Sequence, residues 1–279
     1  MKQLVLLIGI LCQVLMGFTQ NDSTKKAGNP SDTIHVGNMT IVKSGESGDT
    51  KYNEDMDYHF WHHHGDYHPS NISTNWIIVD LGFANFNDNT NYSSAEAQAF
   101  AKGSTKDWFD LNNGKSVDVN IWLFMQRLNV IKHVVNLKYG LGIELNNYRY
   151  TKNIRYETEP TTHVIMDTIQ YSKNKLAADY VTVPLMLNFN FTPHRRDGFG
   201  ISVGVSAGYL YNSRQKLISG EFGKQKIHNS YDLNPWKLSW IAEVQLGPVK
   251  LYGSYATQSM FSTGLDQIPY TFGIRLSNW

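Results

Sequence analysis

The sequence predicts an all-β fold: a transmembrane antiparallel up-and-down β-barrel of about eight strands behind a polar N-terminal extension. Three observations carry this expectation. After residue 75 a two-residue alternation of unlike faces recurs about eight times, the connections between these runs are by turns long and short, and aromatic residues gather near their ends. Alternation with period two is the mark of a strand whose two faces meet different surroundings.

The runs follow in order. Ile77, Val79, Leu81 and Phe83 oppose Ile78, Asp80, Gly82 and Ala84. Val117, Val119, Ile121, Leu123 and Met125 oppose Asp118, Asn120, Trp122 and Phe124. Val135, Leu137, Tyr139, Leu141, Ile143 and Leu145 oppose Asn136, Lys138, Gly140, Gly142, Glu144 and Asn146. From Val181 to Phe191, and again from Phe199 to Tyr211, odd positions are apolar against a face rich in Asn, Gly and Ser. Leu238, Trp240, Ala242, Val244 and Leu246 oppose Lys237, Ser239, Glu243 and Gln245; Val249, Leu251 and Tyr255 oppose Lys250, Tyr252 and Ser254; Tyr270, Phe272, Ile274 and Leu276 oppose Thr271, Gly273 and Arg275.

Alternation alone does not say which face points outward, so a soluble barrel with an apolar interior is the competing fold. Gly and Ser on the less apolar face suit the cramped interior of a narrow barrel, whereas they are poor strand formers on an open surface. The connections are long at Asn85 to Lys115, Asn147 to Asp179 and Asn212 to Asn234, and short at Leu128 to Lys132, Thr192 to Gly198 and Gly247-Pro248, with an intermediate one at Gln258 to Pro269. Outer-membrane barrels pair short periplasmic turns with longer outside loops in this way. Trp76, Tyr148, Tyr150, Tyr209, Tyr211, Trp236, Tyr255, Tyr270 and Trp279 fall where a bilayer interface favours amphipathic rings.

The N-terminus predicts the address. Met1-Lys2-Gln3 is a short positive start, Leu4 to Met16 an apolar run, and Gly17-Phe18-Thr19 offers small residues for cleavage, so 1–19 reads as a secretory signal peptide. The only cysteine, Cys12, lies inside that run, behind a Leu too large for a lipoprotein site. The mature chain then has neither disulfides nor a thiol nucleophile. Residues 20–74 are polar and form a periplasmic extension, with a small hairpin expected in "TIHVGNMTIVK"; residues 75–279 form the outer-membrane barrel, with the N-terminus and C-terminus both periplasmic. A net charge of +1 gives no general attraction for nucleic acid.

The run "NIWLFMQRLNVIKHVVNLKYGLGIELNNYRY" (120–150), with "WIIVDLGFANF" before it and "YVTVPLMLNFNF" after it, resembles the PorT-like outer-membrane β-barrel proteins of Bacteroidota. The resemblance covers roughly Asn75 to Trp279. It implies a Gram-negative outer membrane and an accessory place in protein secretion, and it brings no catalytic motif. The partners it leaves are outer-membrane lipid and an envelope or secretion protein.

Four constellations are candidates for chemistry. In "YHFWHHHGDYHPS", His59, His62, His63, His64 and His68, with Asp57 and Asp66, offer imidazole and carboxylate ligands for Zn, Cu or Ni. Gly65 stands where a zinc helix would carry its Glu base, so a polar tether at the inner interface is the plainer reading and no cofactor is expected. Asp80, Asp118, Lys138, Glu144, Lys237, Glu243, Lys250 and Arg275 all fall on the less apolar face, either as a narrow ion path or as a plug of paired charges. The outside loops carry Lys102, Lys106, Lys115, Arg149, Lys152, Arg155, Lys173, Lys175, Arg214, Lys216, Lys224 and Lys226, which suit anionic headgroups or plain solvation. Finally, His228-Asn229-Ser230, with Glu221, is a weak echo of a lipid-modifying His-x-Ser motif placed in a loop, and a non-enzymatic role is expected. Ser94 before Ala95, Ala97, Ala99 and Phe100 predicts a short capped helix in the first loop.

Overall fold

A computed structural model describes residues 33–36, 39–42, 69–195 and 198–277. In the N-terminal unit, β1 (Thr33–Val36) pairs antiparallel with β2 (Met39–Val42), as the "TIHVGNMTIVK" pattern predicts.

The larger unit is one antiparallel sheet. Its strands are β3 (Ile72–Asp88), β4 (Val117–Ile131), β5 (Val135–Arg149), β8 (Tyr171–Asn190), β9 (Phe199–Ser219), β11 (Trp236–Leu246), β12 (Val249–Ala256) and β13 (Gln267–Leu276). Each pairs with the next in chain order, β13 pairs with β3, and β8 pairs with β9 along almost its whole length, so the hydrogen-bonding order returns to its start. Three shorter strands sit on the long connections: the hairpin β6 (Ile154–Glu157) with β7 (His163–Met166), and β10 (Gly223–His228), which adds to the C-terminal end of β9.

The alternation sorts side chains as expected along most of the sheet. Val181, Val183, Leu185, Leu187 and Phe189 of β8 and Phe199, Ile201, Val203 and Val205 of β9 are exposed on the outer face. With the exposed Phe191 just beyond β8 this apolar series runs for about 33 Å along the chain, about 25 Å in height at the usual strand tilt, which matches the band of a membrane barrel. The inner face is buried and polar, and the residues it carries meet across the ring.

Short turns lie at one end of the sheet and long connections at the other. Lys132 and His133 both have positive φ (45° and 59°), the mirror-image turn that suits a tight hairpin's twist. At the opposite end α1 (Ala95–Phe100) begins at Ser94, whose Oγ accepts a hydrogen bond from the Ala97 N–H at 3.1 Å, as the sequence predicts.

Three expectations are corrected. First, β8 begins at Tyr171 and β9 runs to Ser219, so much of what the sequence assigns to loops at 147–179 and 212–234 is strand extending past the apolar band; β3 likewise begins at Ile72. Second, β3 and β4 share an irregularity at Ile77 and Leu123. Trp76 pairs with Phe124 and Ile78 with Trp122, the two residues between are skipped, and Ile77 takes φ +54°. The extra residue in each strand reverses the alternation below it, so Met125 is buried on the inner face while Phe124 turns outward against Trp76 at 5.9 Å. Third, Tyr148 and Tyr150 are not interface aromatics; both are buried in a cluster under the long loops.

Candidate functional site

The interior carries the predicted charges, all of them buried: Asp80, Asp118, Glu144 and Glu243 against Lys138, Lys237, Lys250 and Arg275. Four acids face four bases, so the set is formally neutral. Glu243 on β11 is the hub. It accepts from Lys138 Nζ of β5 at 2.6 Å and from Arg275 Nη1 of β13. Arg275 also donates through Nε and Nη2 to both oxygens of Asp80, each at 2.7 Å, while the Trp122 indole N–H donates to Asp80 Oδ2 at 2.7 Å. Such bidentate charge-assisted bonds fix orientation as well as contributing energy. Nearer the long-loop end, Lys237 Nζ donates to Glu144 Oε2 at 2.7 Å and lies 5.2 Å from the Tyr180 ring. Tyr252 donates to Asp118 Oδ2 at 2.5 Å. Six of the eight charges are therefore tied into ion pairs that offset their low-dielectric cost, while Asp118 also accepts from the Asn120 amide and Lys250 donates to Ser277 Oγ.

Glycines make room for the large rings in this network. A Cβ on Gly142 would lie 2.6 Å from the Trp122 ring, and one on Gly82 would lie 2.5 Å from the Tyr252 hydroxyl. At Gly142 and Gly82 the inner face is thus the complement of a bulky neighbouring residue.

Above the charges the four long connections fold together. Phe100 and Phe109 from the first, Tyr150, Tyr156 and Val164 from the second, Tyr231 and Leu233 from the third, and Met260, Phe261 and Leu265 from the fourth form one buried cluster. Tyr156 stacks on Phe261 at 6.1 Å and meets Tyr231 edge-on at 5.5 Å, and the Tyr150 and Tyr156 hydroxyls are 2.8 Å apart. Burial pushes both of these phenols up from their ordinary range, so they stay neutral donors. The hairpin β6–β7 is pinned to the sheet by Gln215, whose amide donates to Ile154 O and to Asn174 Oδ1, both at 3.0 Å, and accepts from the Tyr156 N–H at 3.0 Å. Asp167 ends that hairpin. Burial alone would raise its carboxyl, but the Tyr171 hydroxyl, the Ile169 N–H and Arg155 outweigh burial and hold it below the usual range.

Of the other sequence candidates, His59, His62, His63, His64 and His68 lie outside the described residues. Among the described residues no group of three or more His, Cys, Asp or Glu is placed to hold a metal ion. His228 ends β10 rather than lying in a loop; its Nδ1 is 3.0 Å from Asn212 Oδ1, and Ser230 Oγ turns to Asn229. Glu221 sits at the other end of the β9–β10 hairpin, so the three are not assembled. The sequence placed the lumenal acids and bases correctly one by one. It carried no signal for the four-loop cluster, whose members are far apart along the chain.

No curated protein matches the chain. A solved structure described as "Asymmetric conductivity of engineered proteins" aligns with 74% of this chain and 99% of its own, at 8% identity and a TM-score of 0.18. The family model "Outer membrane protein beta-barrel domain" matches residues 77–266, well over half of the chain, from within β3 to the residue before β13. The chain therefore belongs to the outer-membrane β-barrel domain family.

Proposed function

We propose that this protein is a closed, non-conducting transmembrane barrel of the bacterial outer membrane, non-enzymatic, acting as a structural or interaction component of the envelope. In this reading residues 1–19 are a signal peptide, both termini and the short turns are periplasmic, and the long connections face outward. The observation that carries it is the double filling of the axis: a charge-balanced network in the interior and a packed aromatic cluster over one mouth. A narrow eight-strand interior has room for side chains and little else.

An accessory place in protein secretion is the more specific role, supported by the PorT-like resemblance of residues 120–150. The histidine tract is then a periplasmic tether. The test is reconstitution of the full chain into planar bilayers, where no stable conductance is expected. Reproducible single-channel steps that change in Lys138→Gln or Glu144→Gln would favour a transport path and overturn the reading.

A further inference from the structure

The strands that continue past the apolar band bring six cations onto one face. In register, Arg149 of β5 lies opposite Lys175 of β8, Lys175 opposite Lys216 of β9, and Lys216 opposite Lys226 of β10. At about 4.8 Å between strands the four fall in a row roughly 15 Å long. Lys173 and Lys224 flank it, both paired with Ile218 between them.

This is the outer face. Lys175 has the same parity on β8 as the exposed Val181 to Phe189 series, and on β9 the neighbours Gln215 and Leu217 are buried on the opposite side. Like charges placed directly across a sheet repel, and the partners given to the row, Ser172 O for Arg149 and Asn147 Oδ1 for Lys175, are neutral. Among the described residues no salt bridge reaches any of the six; the nearby Asp179 is taken by Arg214. The Lys175 ammonium donates from Nζ to Asn147 Oδ1 at 2.5 Å. Its pKa is pushed down to about 8, first by burial and then by Lys173 and Lys216. The reverse face is held by the β6–β7 hairpin through Gln215, so the row is mounted on a two-layered support.

We infer that this face binds the headgroup of a phosphorylated saccharide lipid in the outer leaflet, an inference that rests on the outward placement of the long connections proposed above. Charge and height select that ligand. The cationic row and the apolar stripe lie on the same side of β8, separated by the buried Ala177 and Asp179, with Tyr209 and Trp236 in edge contact at 5.0 Å at the border of the stripe. Lys175 is about 20 Å along the strand from Val181, or about 15 Å in height at the usual barrel tilt. The polar layer of a phospholipid leaflet is only about 5–8 Å deep, so a row at this height meets a headgroup that extends through sugars and carries phosphates.

The test uses the full chain in detergent micelles and measures binding of purified bisphosphorylated lipopolysaccharide, its dephosphorylated form and phosphatidylglycerol, with inorganic phosphate as competitor. The wild type is expected to prefer the bisphosphorylated lipid by about tenfold or more, and to lose the preference as salt rises. The Lys175→Gln/Lys216→Gln/Lys226→Gln variant should lose it, while Lys102→Gln/Lys106→Gln/Lys115→Gln keeps it. A triple variant with the preference intact overturns the proposal, as does equal binding of phosphatidylglycerol or full displacement by inorganic phosphate. If the triple variant does not fold, Lys224→Gln/Lys226→Gln, both exposed, replaces it. Labelling Lys224→Cys on intact cells with an impermeant maleimide separates the two readings. No labelling defeats the outward placement and this inference with it, whereas labelling without lipid preference defeats this inference alone.

Discussion

Lys138 and Glu243 stand on β5 and β11, strands that are not neighbours in the sheet, and their side chains meet across the interior at 2.6 Å with both almost wholly buried. Arg275 joins the same carboxylate and carries the link on to Asp80 and Trp122. One acid thus braces the ring across its width.

Removing that acid should be costly. Glu243→Ala leaves two buried cations facing each other, and breaking such a pair is worth about 3–5 kcal/mol. The expected outcome is a lower unfolding midpoint in urea, read by the loss of the heat-modifiable band on gels. The Lys138→Met/Glu243→Leu double variant should recover part of the loss, because it leaves fewer charges without a partner.

The capping loops hinge on one glycine. Gly264 has φ +81°, and a Cβ there would lie 2.4 Å from Phe100. Gly264→Ala should loosen the contact between the first and fourth connections while leaving the strands intact. Limited proteolysis should therefore cut 89–116 and 257–266 faster, at unchanged membrane insertion. Equal cutting rates would show that Phe100 can move aside without loss.

Acid should release the β6–β7 hairpin. The Asp167 carboxyl is held below its ordinary value of about 3.9 by Tyr171, Ile169 and Arg155 against the opposing effect of burial. Its contribution is present above the unfolded value and lost as pH falls through the lowered folded one. Hydrogen exchange over 150–171 should quicken below about pH 4, and Asp167→Asn should show that faster exchange already at neutral pH.

The two chain ends should differ in weight. Lys250 Nζ donates to Ser277 Oγ at 2.5 Å, and β13 supplies the strand that pairs with β3. Deleting 277–279 should lower the folded fraction in outer membranes far more than replacing His59, His62, His63, His64 and His68 by Ala. A histidine variant that loses both bound metal and assembly would give the tract a structural role instead.

Much of this molecule is local. Period-two alternation at Val135 to Leu145 or Val181 to Phe191 depends only on neighbouring residues, so strand identity, the two faces and the lumenal address of Lys138, Glu144 and Arg275 were legible in the chain. Tertiary structure decided what depends on partners. A paired irregularity at Ile77 and Leu123 reversed the faces of Met125 and Phe124, because one added residue in a strand flips every side chain beyond it. The N-terminal half of β8 and the C-terminal half of β9 are polar on one face and look like loop until pairing shows them to be strand. Which acid meets which base, the meeting of four loops around Tyr156, and the row from Arg149 to Lys226 all follow from register across the sheet. Register is a relation between distant segments that no single segment contains.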